Sequence, residues 1–419
     1  MQRRCDVGLF CVLLAILADD LQVISTGSRH LEHFEHAYSK THEHLEDMGA
    51  RIAPHKCSTF SSDTVAREWL RRHRWRRLHQ TVPVVNDCRD LGAHLNATSS
   101  MKGTTLSERM RTTTNSVERL DMFSGSYEKK VAIVRGGMLP KALFGCEASP
   151  INETAMRGLR TAIANCITFA TARRATDLTF AVASRGTDLD PDVEATTRRL
   201  LMLRRTMAKD KKGEKMIREI YDKYREQGEP GCKTEIDDLR EKEIGGEPTS
   251  MSRAAIRKQC SPKGPVGLAL ESIHLQAASM DENFDFKQWD QPAIQILKAP
   301  YQHLGRLIRE RCTRNRTRHA EGGREETKGL DEIDKVVTEK INKKLDPKQR
   351  TSLDLTRTGA AWNRTAAFWA GQAEDKMCQL CKEEEEKADH IWYCKALHPK
   401  RVEIDAQLAK LDPDELPTR

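Results

Sequence analysis

Four residues near the carboxyl end of the chain have the spacing of a metal site: Cys378, Cys381, His390 and Cys394. Two residues separate the first two cysteines, and three residues separate His390 from Cys394. A turn can bring two such cysteines to one metal ion, and residues four apart on a helix share a face. Three thiolates and one imidazole complete a tetrahedron around Zn²⁺ and leave no open position for chemistry. The spacing therefore predicts a structural zinc site.

The alternative for Cys378 and Cys381 is a redox Cys-x-x-Cys motif. Such a motif usually accompanies a βαβ pattern, and the flanking sequence has no such pattern. A His-x-x-x-Cys segment follows eight residues after Cys381 instead, which favours zinc.

Composition limits the remaining possibilities. The chain has 419 residues, enough for about two or three domains. It is 38% hydrophobic and 32% charged, and 70 basic residues against 62 acidic ones give a formal net charge of +8. Twelve cysteines in this length are too few for a disulfide scaffold. These values exclude a collagen, a coiled coil and a multi-span membrane protein, and the charge allows an anionic partner without naming one.

An apolar run from Val7 to Ala18 follows two arginines near the amino terminus. It resembles the core of a signal peptide, but no small-x-small cleavage site precedes the Asp19-Asp20 pair. Its 12 residues are too short to span a bilayer, so we expect no membrane partner. A second apolar segment, Leu21 to Ser25, follows the acidic pair, which favours a β-hairpin with the aspartates at its turn. We therefore expect a protein that is not secreted and that acts in the nucleus, the cytoplasm or both.

Periodicity predicts an α+β fold in four parts. A helix is expected over residues 28–48, with Ser28 as its N-cap and Gly49 after its end. A short strand over residues 52–60 and a hairpin from 82–85 and 91–95 complete a small first domain. Helical faces such as Leu159, Ile163, Cys166 and Ile167 recur from 104 to 226. The predicted domains are residues 1–95, a helical domain 96–226, a charged linker with a helical segment 227–351, and a zinc unit 352–419.

Two segments are rich in arginine. The first, which we call the arginine cluster, combines six arginines with two indoles, and we predict that it binds nucleic acid through phosphate contacts and base stacking. Its members are Arg67, Trp69, Arg71, Arg72, Arg74, Trp75, Arg76 and Arg77. The second segment, residues 306–318, also holds six arginines. The alternatives for both are a solvated basic helix face or a localisation signal.

The hairpin resembles a known family at its turn. Leu-Ala-Asp-Asp followed by an apolar strand is similar to the metal-binding hairpin in the palm of reverse transcriptases, where an aromatic residue usually stands in place of Leu17. In that family an amphipathic helix, a glycine, a strand carrying a lysine and a Leu-Gly hairpin follow. This chain has the predicted helix 28–48, Gly49, Lys56 and Leu91-Gly92 in the same order.

Two downstream segments extend the likeness. Residues 136–167 resemble the helical thumb and connection of non-LTR (LINE-like) retroelement polymerases, and residues 356–394 resemble their carboxyl-terminal zinc segment. The implied architecture is a partial polymerase palm, a mostly helical thumb and connection, charged linkers and a small zinc-binding unit. Because these parts occur in the order that the family shows, the resemblance points to a retroelement polyprotein.

The resemblance also implies roles for individual residues. Asp19 and Asp20 would bind Mg²⁺ during RNA-templated DNA synthesis, and Lys56 would be the general acid for the leaving pyrophosphate; an ordinary strand-edge lysine is the alternative. The family needs a further aspartate far upstream, and only 18 residues precede Asp19. We therefore expect an incomplete enzyme that is inactive alone and still binds RNA and DNA. A missing amino-terminal polymerase portion would be its protein partner. The alternative is a non-enzymatic, zinc-containing nucleic-acid-binding protein in which the aspartate pair is coincidental.

Overall fold

The computed structural model divides the chain into two units, Met1–Lys102 and Gly103–Arg419. It describes residues 3–7, 10–17, 20–50, 52–90, 93–97, 102–168, 174–182, 189–242, 264–288, 291–322, 333–358, 360–387, 390 and 393–408. Helices dominate the second unit and small antiparallel sheets occur in both units, so the α+β prediction is confirmed at that level.

The apolar run near the amino terminus forms the central strand of a three-stranded antiparallel sheet. The strands are β1 (Arg3–Val7), β2 (Phe10–Leu17) and β3 (Asp20–Thr26). Leu17 pairs with Asp20, so β2 and β3 form the predicted hairpin with a two-residue turn. Strand β1 was not predicted, because its five residues carry three charges and show no apolar alternation.

Helix α1 (His30–Asp47) confirms the helix predicted after the hairpin. Gly49 has φ +78°, a left-handed conformation that glycine adopts without strain at a helix end, as predicted. The N-cap prediction is wrong: Arg29 occupies that position and no side chain caps the helix. Phe34 and Tyr38 of α1 pack against a small core of Leu70, Trp75 and Val82.

The rest of the first unit differs from the prediction in the type and the bounds of its elements. The strand expected over residues 52–60 is instead a 3₁₀ turn, Pro54–Lys56, since proline fixes φ and provides no donor for a ladder. Helix α2 (Thr64–Arg72) begins after Asp63, whose carboxylate accepts from the Ala66 amide at 2.7 Å. The predicted second hairpin is shifted: β4 (Asp87–Asp90) pairs with β5 (Ala93–Asn96), and Val84 makes only an isolated parallel bridge with Thr59.

The second unit begins with a helical core. Its elements are α3 (Thr104–Asp121), α4 (Tyr127–Ile133), a π-helical turn (Val134–Met138), α5 (Leu139–Ala142), α6 (Glu153–Ile167) and α7 (Thr176–Val182). The predicted apolar face of α6 is buried, with Leu159 and Ile163 at 0% exposure. It packs against Met110 and Val117 of α3, which confirms the helical prediction for this region.

The segment predicted as a charged linker contributes to the next core. Its elements are α8 (Pro191–Lys209), α9 (Lys211–Lys242), α10 (Gly264–Leu275), β6 (Ser279–Met280), β7 (Asp285–Lys287), β8 (Ile294–Gln295) and α11 (Tyr301–Gly322). Leu200 of α8 packs with Ile273 of α10 and Leu304 of α11. Helix α9 continues past residue 227 to Lys242, and residues from 264–322 pack with α8.

Short helices complete the second unit. They are α12 (Lys335–Lys344), α13 (Pro347–Arg357), α14 (Arg364–Trp369), a 3₁₀ turn (Lys395–Leu397) and α15 (His398–Leu408). None of the helices in the described part of the chain is long and apolar enough to cross a membrane.

Candidate metal centre and basic surface

The four predicted zinc ligands come together in the structure. Their ligand atoms all lie within 4.8 Å of one another. The Sγ atoms of Cys378 and Cys394 are 3.9 Å apart, and Cys381 Sγ lies 3.3 Å from His390 Nε2. A tetrahedron with Zn–S bonds of about 2.3 Å and a Zn–N bond of about 2.0 Å requires separations of roughly 3.5–3.8 Å between ligand atoms. This donor set could hold a metal ion such as Zn²⁺, and four protein ligands would leave no open position for chemistry.

A tight hairpin holds the first two cysteines. Met377 and Glu385 form an antiparallel bridge, and the Cys378 amide donates to the Glu384 carbonyl at 2.8 Å. Lys382 at the turn has φ +57°. The turn directs the backbone amides of Glu383 and Glu384 at Cys381, and these hydrogen bonds lower the pKa of its thiol to about 6. The hairpin thus stabilises the thiolate that a metal requires.

A backbone hydrogen bond links the other two ligands. The Cys394 amide donates to the His390 carbonyl at 2.8 Å, and both side chains face the same site, as the spacing predicted. Burial is nearly complete at Cys378, His390 and Cys394, and it raises the pKa of the Cys378 thiol. His390 Nδ1 lies 3.4 Å from a Glu384 carboxylate oxygen, the kind of partner that orients zinc-bound histidines.

The predicted magnesium site falls mostly outside the described residues. Asp19 lies outside them, and of Asp20 only the backbone, at the start of β3, is described. Lys56 ends an exposed 3₁₀ turn rather than a strand, and Leu91-Gly92 also lies outside the described residues. Within the described part of the chain, the zinc set is the one group of His, Cys, Asp and Glu side chains that could hold a metal ion. Magnesium binding therefore stays a prediction.

Most of the arginine cluster is exposed but has partners within the protein. Arg71 and Arg72 pair with Glu68 at 3.0 and 3.4 Å, and Arg77 pairs with Glu43 and Glu46 of α1. Backbone carbonyls accept from the remaining two paired arginines: Arg67 donates to Ser61 and Ser62, and Arg74 donates to His79. Arg76 is exposed, and no hydrogen bond or ion pair involves it in the described region. Exposed ion pairs such as these are worth at most about 1 kcal/mol, so phosphate can replace the carboxylates.

The two indoles of the cluster do not face solvent as expected. Trp75 is 2% exposed and packs against Tyr38 at 4.2 Å between ring centroids. Its ring is part of the core, so it offers no face to a base. Trp69 is half-buried and stacks on His73 at 4.2 Å. The buried Trp75 ring cannot stack on a base in this structure, and Trp69 has one ring face covered by His73. Most of the arginines remain exposed to solvent.

The second arginine-rich segment lies on α11 and is partly turned into the protein. Arg309 pairs with Glu194 of α8 at 2.9 Å, and Arg311 donates to the Pro292 carbonyl. Arg316 is 14% exposed and lies among three aspartates: it contacts Asp177 and Asp190 at 3.3 Å and Asp192 at 2.8 Å. A structural role therefore accounts for part of this segment.

These aspartates belong to a buried ionic network that sequence reasoning missed. Arg160 of α6 donates to both carboxylate oxygens of Asp190, at 3.1 and 2.9 Å, and also binds Asp177. Burial alone raises the pKa of both aspartates, but the charges of Arg160 and Arg316 outweigh it and hold each pKa below its ordinary value. The network joins α6, α7, α8 and α11. Asp190-Pro191, an N-cap followed by proline, was the available signal for the start of α8.

Arg199 of α8 is another buried cation, and it binds backbone carbonyls and a hydroxyl. It is 0% exposed and donates to the carbonyls of Cys146, Leu268 and Ser149 at 2.9–3.0 Å and to Ser272 Oγ at 2.7 Å. These bonds fasten α8 to α10 and to the loop before α6. Its role is structural.

Comparisons of the chain with protein-family models, with curated proteins and with solved structures gave no significant match.

Proposed function

We propose that this chain is part of a non-LTR retroelement reverse transcriptase and that it binds RNA or DNA, with a zinc ion stabilising its carboxyl-terminal segment. The observation that carries the proposal is the order of elements in the first unit: a β-hairpin whose second strand begins at Asp20, then helix α1 and then Gly49. The helical region after it and the Cys₃His set occur in the order that the resemblance implies.

The nucleic-acid part of the proposal depends on charge at the arginine cluster. Arg71, Arg72 and Arg76 are exposed, whereas Arg77 connects the segment after α2 to α1 and is best left intact. Each phosphate that a cation neutralises adds about 0.7 to the slope of log K against log salt for a single strand. We expect the triple substitution of these three arginines by alanine to lower this slope by up to about 2, as measured by fluorescence anisotropy with a labelled RNA strand.

A matched control removes the same charge elsewhere. Lys211, Lys212 and Lys215 are exposed on α9, and their triple alanine variant should bind with nearly the wild-type slope. Equal slopes for both variants would exclude the arginine cluster from the interface.

The polymerase part depends on metal binding at the hairpin. Mn²⁺ replaces Mg²⁺ at carboxylate sites and broadens nearby NMR signals, so in protein labelled with ¹⁵N-leucine we expect the amide signals of Leu17 and Leu21 to broaden first. The double variant Asp19→Asn/Asp20→Asn should lose this broadening. If the signals broaden equally in both proteins, the aspartates are not the ligands.

The second candidate is a non-enzymatic, zinc-containing nucleic-acid-binding protein. It is favoured by the zinc set, which is the one potential metal group among the described residues. Nucleic-acid binding that is sensitive to the arginine cluster, without any Mn²⁺ effect at Leu17 and Leu21, would select this candidate over the polymerase.

A further inference from the structure

The segment around the zinc ligands exposes large aromatic side chains. Trp369 is 72% exposed, Trp362 is 57% exposed and Tyr393 is 50% exposed. Indole rings bury a large area in most folds, because their transfer from water is favourable. Trp369 is the last residue of α14 and directs most of its surface to solvent.

A lysine accompanies the most exposed ring. Lys376 Nζ lies 4.4 Å from the centre of the Trp369 ring and 5.3 Å from the centre of the Phe368 ring. These two rings meet edge to face with centroids 5.5 Å apart. The Lys376 ammonium therefore lies close to two aromatic rings, and the Trp369 ring remains exposed to solvent.

The zinc hairpin holds this arrangement in place. Lys376 lies two residues before Cys378, and its carbonyl accepts from the Glu386 amide at 2.8 Å. Helix α14 is attached to the same hairpin, since the Thr365 amide donates to the Glu386 carbonyl at 3.3 Å. Both the lysine and the tryptophan are thus fixed relative to the metal ligands.

Charge around Lys376 determines which partner fits. The adjacent acid in sequence, Asp375, is already paired with Arg364 at 3.4 Å. A strand of nucleic acid provides both a flat base for the indole and a phosphate for the ammonium. An apolar protein partner would have to remove Lys376 from water without compensation, which is unfavourable.

We propose that Trp369 and Lys376 form a stacking platform for an unpaired base of single-stranded RNA or DNA, whose phosphate pairs with the Lys376 ammonium. This inference rests on the proposed nucleic-acid function and specifies that the zinc segment binds single strands. It also gives the zinc ion a role in binding, because the ion maintains the platform.

The test compares single strands with duplexes, using the full zinc-loaded chain and a labelled 12-nucleotide strand alone or annealed to its complement. Trp369→Ala should weaken single-strand binding about tenfold and leave duplex binding unchanged, whereas Trp369→Phe, which keeps a ring, should bind within about threefold of the wild type. Lys376→Gln should lower the single-strand salt slope by about 0.7. Zinc content is measured for every variant, and one ion per chain shows that the segment is folded.

Phe123→Ala is the matched control, because Phe123 is 52% exposed and lies at the end of α3, away from the zinc segment in sequence. Unchanged single-strand affinity in Trp369→Ala, while the arginine-cluster variant still weakens binding, would overturn the platform and leave the proposed function intact. If the wild-type chain binds no nucleic acid, both fail. Unchanged affinity together with loss of self-association in sedimentation would assign Trp369 to a protein contact.

Discussion

Cys394→Ser is expected to release the zinc ion and to unfold the chain from Arg364 to Leu408, while the first unit stays folded. Helices α14 and α15 are short, and the zinc hairpin between them has few buried apolar side chains apart from the ligands themselves. In small zinc domains metal binding provides about 10–16 kcal/mol, which is the free energy of folding itself. Zinc per chain by atomic absorption and hydrogen exchange resolved by segment measure the two effects.

Cys57→Ser is the control for this substitution. Cys57 is a half-buried free cysteine of the first unit and takes no part in the zinc set. This variant should keep one zinc ion per chain and the wild-type exchange pattern over residues 364–408. Stoichiometric zinc in Cys394→Ser would refute the assigned ligand set.

Arg316→Met should destabilise the second unit by about 3–5 kcal/mol, the usual cost of removing one partner from a buried ion pair. The substitution keeps an unbranched apolar side chain but removes the guanidinium that contacts Asp177, Asp190 and Asp192. Urea unfolding followed by helical circular dichroism measures the loss.

Arg306→Met is the matched control on the same helix. The Arg306 side chain is 66% exposed and pairs with Glu310 at 4.0 Å, so its loss should cost less than about 1 kcal/mol. Equal destabilisation by both substitutions would mean that the buried network contributes nothing specific.

The same network predicts that the unfolding free energy of the second unit falls at low pH. The pKa values of Asp177 and Asp190 are lowered in the folded protein, so their contribution to stability is complete above the unfolded value of about 3.9. It is lost as the pH falls through the folded pKa values, because the unfolded state then binds more protons. Asp190→Asn, which cannot titrate, should show a flatter decline in unfolding free energy below about pH 4.

Local patterns predicted the elements that depend on neighbours in sequence. The β2–β3 hairpin, helix α1 and its terminal Gly49 follow from apolar runs and one left-handed glycine. The zinc set was predictable because all four ligands lie within 17 residues, so that their spacing nearly determines their geometry. Burial of Leu159 and Ile163 followed from helical periodicity in the same way.

Long-range contacts explain most of the failures. A charged residue such as Arg316 predicts solvent exposure, yet its partners lie on α7 and α8, far away in sequence. The neighbouring arginines suggested that Trp75 stacks on a base, but Phe34 and Tyr38 of α1 pack against its ring. The core around residues 264–322 was not predicted, because its apolar side chains pack against α8, which is far away in sequence.

The span of the Arg316 contacts has a consequence for synthesis on the ribosome. Arg316 binds carboxylates that precede it by 139 and 124 residues, whereas the first unit ends at Lys102. At about 5–20 residues per second, the interval between Asp177 and Arg316 is on the order of ten seconds. During that interval the three clustered acids lack Arg316, and the inner face of α8 lacks its α10 and α11 partners. A nascent chain of this protein therefore presents a folded first unit and an unfinished second one, the stage at which chaperones would be needed.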